Sequence, residues 1–128
     1  MLLFGHDDAV AEWVGKRVGK QFHPHYTAFG TVNAEGRITS GAVFTNYDKD
    51  GIELSLAGRG VISRALWGEI LSYVFARLAC SRLGIVTSAR NKNVRRMAPK
   101  MGFRFEGTLR KKFGKENGLI YSLTDDDL

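Results

Sequence analysis

The sequence predicts one mixed α/β domain, in which helices pack on a sheet. The chain has 128 residues, which is enough to bury a core and is typical of a single domain, residues 1–128. Two segments, Tyr26–Asn33 and Arg37–Tyr47, have the residue pattern of strands. Between Gly60 and Cys80, apolar residues instead recur every three or four positions, which predicts a long helix.

The first part of the chain predicts a short strand and a helix. The strand falls within Met1–Gly5. Asp7 or Asp8 suits the N-cap of a helix that runs to Val18, because a carboxylate can accept a hydrogen bond from a free N–H group of the first turn. One side of this helix is apolar and consists of Val10, Trp13 and Val14.

Three strands and two turns are predicted next. Tyr26–Asn33 and Arg37–Tyr47 form a hairpin, and Gly36 supplies the conformation that its tight turn needs. Asp48–Gly51 is rich in turn-forming residues and predicts a second turn. It leads into a fourth strand, Ile52–Leu56.

The helix between Gly60 and Cys80 has an unusually broad apolar surface. One ridge contains Ile62, Leu66, Ile70 and Val74, and a neighbouring ridge contains Trp67, Leu71 and Phe75. A helix that is apolar over so wide an arc is expected to be largely buried on a sheet. An apolar strand, Leu83–Ser88, follows it.

A second helix is predicted over Asn91–Met101. Asn91 is a suitable N-cap, and Gly102 is a suitable residue to end the helix because glycine adopts the left-handed conformation without strain. The apolar stripe contains Val94, Met97, Ala98 and Met101, and the polar side contains Lys92, Arg95, Arg96 and Lys100. Pro99 removes one helical hydrogen bond and predicts a local bend before the end of the helix.

The end of the chain predicts two strands and a tail. Phe103–Phe113 and Leu119–Thr124 are the strands, and the polar segment Gly114–Gly118 is the turn between them. The acidic residues Asp125–Asp127 are expected to form a frayed tail.

Composition and charge limit the classes of function. No apolar run is long enough to span a membrane, and the N-terminus lacks a signal-peptide pattern, so we expect a cytoplasmic protein without a membrane partner. A single cysteine, Cys80, fits a reducing compartment. The net charge of +6 favours anionic partners.

The segment Arg90–Arg110 resembles the end of an N-acetyltransferase of the GNAT superfamily. The resemblance rests on Asn91, on the helix ending Lys100-Met101-Gly102-Phe103, on Glu106-Gly107 and on Arg110. It points to the branch of short phage-type members related to the ribosomal-protein N-terminal acetyltransferases. The predicted order of elements is similar to that of the family from Tyr26 to Thr124. It implies a mixed, mostly antiparallel sheet with splayed central strands and flanking helices. The single helix before Tyr26 implies an open acceptor side.

The same resemblance implies where acetyl-CoA binds. In the family, the pantetheine arm pairs with the fourth strand, which here supplies Leu54, Ser55 and Leu56. The pyrophosphate binds in the loop that enters the long helix, where backbone N–H groups and the helix dipole favour an anion. The implied contacts of this loop are Arg59, Gly60, Val61, Ile62, Ser63 and Arg64. The family's usual glycine pattern is incomplete, because Ile62 stands where the first glycine is expected. Further contacts are implied at Asn91 and Arg95.

The resemblance also implies the catalytic groups. Glu53 lies where relatives carry a glutamate that deprotonates the amine, although a solvent-facing strand residue explains it equally well. Many relatives protonate the leaving thiolate with a tyrosine at the position of Ala98 or a serine at that of Val94, and neither hydroxyl is present here. Tyr121 on the last strand is a weaker substitute.

These residues predict an acetyl-CoA-dependent transfer of acetyl to a primary amine, and two other classes of function stay open. One is a non-catalytic GNAT-fold module that binds a partner protein. The other is a small basic nucleic-acid-binding protein, and a nucleic-acid-linked acceptor would also fit the positive charge. His23 and His25 do not form a recognisable metal-ligand set, so no metal is expected. The acceptor is unspecified, and a homodimer is left open.

Overall fold

A seven-stranded sheet forms the centre of the protein. The computed structural model describes residues 1–60 and 62–128. The strands are β1 (Leu2–Leu3), β2 (Thr27–Val32), β3 (Ile38–Thr45), β4 (Gly51–Gly58), β5 (Arg82–Ser88), β6 (Arg104–Phe113) and β7 (Glu116–Thr124), and the helices are α1 (Asp7–Val18), α2 (Arg64–Leu71) and α3 (Lys92–Lys100). The strand order is β1-β2-β3-β4-β5-β7-β6, and among the described residues only the pair β4–β5 is parallel. The predicted mostly antiparallel mixed sheet is therefore confirmed.

Helix α2 and the turn that follows it pack on one face of the sheet and contribute to the main core. Leu66, Ile70 and Val74 are completely buried, as the apolar ridge predicted. The helix begins at Arg64, later than expected, and continues into a π-helical turn, Ser72–Arg77. The Tyr73 hydroxyl donates to Thr27 Oγ1 at 3.0 Å, which ties this turn to β2.

Helix α1 covers the opposite face over β2, β3 and β4. Val10 and Val14 are fully buried and belong to a second apolar cluster with Val43. Gly41 permits this contact, because a Cβ atom there would lie 2.6 Å from Val14 Cγ2.

The predicted cap of α1 was wrong. His6 occupies the N-cap position and makes no capping hydrogen bond through its side chain. Asp7 and Asp8 instead hold the start of β2, since Asp7 Oδ2 accepts from Ala28 N–H at 3.1 Å and Asp8 Oδ1 accepts from the Tyr26 hydroxyl. The bond to Asp8 raises the pKa of Tyr26 above its usual value.

Helix α3 has the termini that the sequence predicts. Asn91 Oδ1 accepts from Val94 N–H at 3.2 Å, and Gly102 follows the helix with a φ of +94°. Pro99 lies in the last turn, where the loss of its N–H group removes only one hydrogen bond. Val94 and Ala98 are buried in the same core as α2, and Phe103 packs against Trp67.

Two expectations about the C-terminal region were wrong. Strand β7 begins at Glu116, so the turn after β6 is shorter than the predicted Gly114–Gly118. Residues Asp125–Asp127 form a 3₁₀ turn and are not frayed. Asp127 Oδ2 accepts from both the N–H and the hydroxyl of Thr124, and these bonds lower the pKa of Asp127.

Candidate active site

The parallel pair β4–β5 comes apart halfway along its length. Its ladder runs from Gly51 opposite Arg82 to Leu54 opposite Ile85 and then ends. Beyond that point β4 continues beside β3 as far as Gly58, and β5 continues beside β7 as far as Ser88. The two strands therefore diverge, and their facing edges border a gap in the middle of the sheet.

Backbone groups of both strands point into this gap. Arg59 N–H donates to the Thr39 carbonyl at 3.0 Å, and successive residues of a strand direct their N–H and C=O groups to opposite edges. Ser55 and Ala57 therefore face β3, whereas Leu56 and Gly58 present their backbone groups to the gap. On the other strand, Ala89 N–H donates to the Asn117 carbonyl at 2.9 Å, so the same alternation turns Ser88 towards the gap.

A cleft fills the gap and extends along α3. One cavity of about 290 Å³ lies between Ser55 and Leu56 of β4 and Val86–Ser88 of β5. A second cavity of about 600 Å³ continues past Gly58 and Gly60 towards Met97 and Met101 of α3. The two cavities are adjacent, because both are lined by Arg17, Val18, Leu56, Asn91 and Val94.

The cleft is electrostatically positive. Its charged lining residues in the described chain are Arg17, Lys20, Arg96 and Lys100, and none of the described lining residues is acidic. Arg17 is held in place, since its Nη1 donates to the Trp13 carbonyl and its Cζ lies 3.5 Å from the centre of the Trp13 ring. Such a lining favours an anionic ligand.

The predicted phosphate loop lies at the α2 end of the cleft. Gly60 and Ile62 line the larger cavity. Gly60 has a φ of +91° and open space where a Cβ atom would be, so a ligand can approach its backbone closely. Ser63 Oγ caps α2 by accepting from Leu66 N–H at 3.1 Å. The exposed Arg59 and Arg64 flank the loop without lining the cavities, and Val61 lies outside the described residues.

Glu53 lies one residue before the end of the β4–β5 ladder. Its side chain is on the face that carries α1, because it alternates with the buried Leu54, and Oε2 accepts from Asn46 Nδ2 at 2.8 Å. It does not line either cavity. Arg82 lies near it and forms a two-bond ion pair with Glu106, which lowers the pKa of Glu106.

Tyr121 is placed away from Glu53. It is 5% exposed, packs in the core with Leu54 and Ile85, and meets Phe105 at a ring distance of 5.5 Å. Its side chain is therefore on the opposite face of the sheet from Glu53 and outside the cleft lining. Cys80 is buried as well, and burial raises the pKa of its thiol, so an inert thiol is expected.

Helix α3 places only one of its two predicted acetyl-CoA contacts at the cleft. Asn91 lines both cavities, whereas Arg95 turns away and donates from Nη1 to the Ala89 carbonyl at 3.0 Å. The next residue, Arg96, lines the cleft together with Lys100. The sequence places both residues on the polar side of the helix. The same pattern does not indicate which cations of that side face the cleft.

The end of α1 supplies Arg17 and Lys20, which the sequence did not indicate as site residues. Lys20 follows the left-handed Gly19 that ends α1, and it lines the smaller cavity beside β5. These residues lie far from β5 and α3 in the sequence. Only the packing of α1 on the sheet brings them to the cleft.

Comparison with known proteins shows the fold. No family model matches the sequence, and no curated protein matches it significantly. Solved structures do match. One, described as a probable acetyltransferase, superposes with a TM-score of 0.71 at 19% identity, over 82% of this chain and 64% of that one. The fold is that of the GNAT acetyltransferases.

Further structures with the GNAT fold include polyamine acetyltransferases. Spermidine/spermine N-acetyltransferase SpeG from Vibrio cholerae superposes with a TM-score of 0.66 at 16% identity, over 91% of this chain and 74% of that one. A dodecameric spermidine N-acetyltransferase from the same organism gives a TM-score of 0.68 at 15% identity, over 93% and 74% of the two chains. The expected GNAT fold is therefore confirmed, while the phage-type branch stays a prediction.

Three further observations concern the chain and its site. The chain spans less than two thirds of the length of the first of these acetyltransferases. In the described residues, His, Cys, Asp and Glu do not gather in groups of three or more that could hold a metal ion. Within the same part of the chain, every helix is too short or too polar to cross a membrane.

Proposed function

We propose that this chain is an N-acetyltransferase that transfers the acetyl group of acetyl-CoA to a primary amine. The observation that carries the proposal is the end of the β4–β5 ladder at Leu54 and Ile85. Beyond it, Leu56 and Gly58 offer backbone donors and acceptors to a cleft whose described lining contains no carboxylate. An extended ligand with amide groups can pair with such a strand edge, as a peptide does when it adds to a sheet.

The phosphates of the coenzyme are proposed to lie at the wide end of the cleft. Gly60 admits a phosphate to the backbone, and the N-terminus of α2 provides free N–H groups and a favourable dipole. Arg96 and Lys100 line this end, and Arg59 and Arg64 stand beside it. Charge-assisted bonds from these side chains would supply much of the affinity.

The transfer itself needs few groups from the protein. Acetyl-CoA supplies an activated thioester; the amine nitrogen forms a bond to its carbonyl carbon, and the carbon–sulfur bond breaks to release the thiolate. We assign Leu56 N–H to the carbonyl oxygen, because it faces the gap where negative charge develops. Glu53 accepts the amine proton, directly or through water. Tyr121 lies outside the cleft lining, so solvent protonates the thiolate, which is a good leaving group.

A second candidate is a GNAT-fold module that binds acetyl-CoA or a partner without turnover. It is favoured by Ala98 and Val94, which stand where many members of the superfamily carry a catalytic hydroxyl and which are both buried. It is also favoured by Glu53, whose side chain lies outside both cavities.

A turnover assay with three acceptors separates the two candidates. The protein is incubated with acetyl-CoA and spermidine, a peptide with a free α-amine, or a peptide with a lysine, and both thiol release and acceptor mass are measured. An enzyme gives thiol release matched by one acetyl group on an acceptor. Acetyl-CoA raises the melting temperature of an enzyme and of a module that binds the coenzyme, because it binds the folded state. A raised melting temperature without acetylated product would support the binding module.

A further inference from the structure

Positive charge is concentrated in one segment of the chain. Residues 90–115 contain ten of the nineteen Lys and Arg residues and a single acidic residue, Glu106. This segment therefore carries a net charge of +9, whereas the whole chain carries +6. The remainder of the protein is net acidic, so any polyanion is attracted mainly to α3 and the hairpin of β6 and β7.

The densest part of this charge is at the end of the hairpin. Arg110, Lys111, Lys112 and Lys115 are all exposed, and we call these four residues the cationic tip. Within the described chain, no carboxylate forms an ion pair with them. The neighbouring Glu116 is already engaged by Arg90 Nη1 at 3.3 Å, so the potential of the tip is not neutralised locally.

The backbone of the cationic tip is held in one arrangement. The register of β6 and β7 is irregular between Leu109 and Phe113, which pushes the intervening cations out of the ladder. Lys111 N–H donates to Asn117 Oδ1 at 3.0 Å. The aliphatic part of the Lys112 side chain packs against Gly118, where an added Cβ atom would lie 2.9 Å from Lys112 Cβ.

Coenzyme binding does not account for this charge. None of the four residues of the cationic tip lines the cleft, which has Arg17, Lys20, Arg96 and Lys100 of its own. The tip nevertheless stands beside the cleft, because Phe113 lines the smaller cavity.

An exposed aromatic ring lies on the same strand. Phe105 is 56% exposed, and its ring is fixed against Tyr121. Strand β6 is at the edge of the sheet, so the space beside it is free of other strands. At about 3.3 Å per residue, Phe105 and Arg110 are about 16 Å apart along the strand.

We propose that single-stranded RNA binds along β6, with its phosphates on the cationic tip and a base stacked on Phe105. Cationic side chains beside an exposed aromatic face are the usual means of binding a single strand. A duplex hides the faces of its bases, so it could not stack a base on Phe105. Unpaired bases are chiefly presented by RNA loops and ends. This binding does not depend on acetyl transfer.

The test measures binding of a fluorescein-labelled oligouridine of about 12 nucleotides by anisotropy over a range of salt concentrations. The tip variant replaces Arg110, Lys112 and Lys115 with Gln. A matched control removes the same charge elsewhere through Lys16→Gln, Arg37→Gln and Lys49→Asn, all at exposed positions. The tip variant should bind at least about tenfold more weakly, and the slope of log K against log salt should become less steep by about 2. The control should change affinity less than about twofold.

A second pair of variants tests the stacked base. Phe105→Ala should weaken binding by about five- to 150-fold, whereas Phe4→Ala, at another half-exposed aromatic residue, should not. Melting curves confirm that each variant is folded. Three results would overturn the proposal. They are equal losses of affinity in the tip and control variants, no effect of Phe105→Ala, and equally tight binding of duplex DNA or polyglutamate.

Discussion

At the scale of single residues, the assignment of Glu53 depends on where its carboxylate is. It lies next to the point where β4 and β5 part, and Asn46 Nδ2 holds it at 2.8 Å. An acceptor that approaches from the face carrying α1 would meet this carboxylate, while the coenzyme would occupy the gap beyond it. For this reason we propose Glu53 as the general base.

Replacing Glu53 with Gln tests this role. The amide keeps the shape and the contact with Asn46 but cannot take the amine's proton. We expect unchanged affinity for acetyl-CoA and a fall in kcat of about 10²–10⁴-fold, with a smaller fall at high pH, where more of the amine is neutral. Glu35→Gln, in the exposed turn after β2, is the control. Wild-type turnover of Glu53→Gln at neutral pH would show that Glu53 is only a strand residue.

Two adjacent arginines of α3 provide an internal comparison. Arg96 lines the cleft, whereas Arg95 donates to the Ala89 carbonyl. Arg96→Ala should weaken acetyl-CoA binding by about 1.5–3 kcal/mol, the scale of a hydrogen bond to a charged group, and Arg95→Ala should have little effect. Calorimetric titration of both variants measures the difference. A larger loss of affinity for Arg95→Ala would indicate that Arg95, as predicted from the sequence, contacts acetyl-CoA and that Arg96 does not.

At the scale of elements, features that depend on neighbouring residues were predicted correctly. Features that depend on contacts between distant residues were not. Asn91 and Gly102 bound α3 as expected, because capping depends on residues a few positions away. The cap of α1 was mispredicted, because Asp7 and Asp8 bind β2, some twenty residues along the chain. The fourth strand and the loop after it were found, but no local pattern reveals that α1 brings Arg17 and Lys20 to them.

Two glycines of the α2 region should respond in opposite ways to substitution. Gly68 lies within the helix with open space around its missing Cβ, so Gly68→Ala should stabilise the protein by about 0.5–1 kcal/mol. Gly60 has a φ of +91°, where alanine is strained, so Gly60→Ala should destabilise it by about 1 kcal/mol or more and weaken acetyl-CoA binding. Denaturant unfolding of both variants gives the free energies. Stabilisation by Gly60→Ala would contradict the described conformation of the loop.

At the scale of the whole molecule, the sheet combines the GNAT fold with a positively charged cleft. The neighbours with the GNAT fold share fewer than one residue in five with this chain, so the element order is retained where most side chains are not. In this chain the sheet carries a backbone feature, the divergence of β4 and β5 beyond Leu54 and Ile85. The predicted phosphate loop, in which Ile62 stands where a glycine was expected, lies at the end of the cleft beside this divergence.

Amide hydrogen exchange, followed by NMR with and without acetyl-CoA, tests the central claim most directly. The N–H groups of Leu56 and Gly58 point into the gap, whereas those of Ser55 and Ala57 face β3 and serve as internal controls. Pairing with the coenzyme should slow exchange at Leu56 and Gly58 by at least about tenfold and leave the two controls unchanged. Unaltered exchange at Leu56 and Gly58 under millimolar acetyl-CoA would show that the gap between β4 and β5 does not bind the coenzyme.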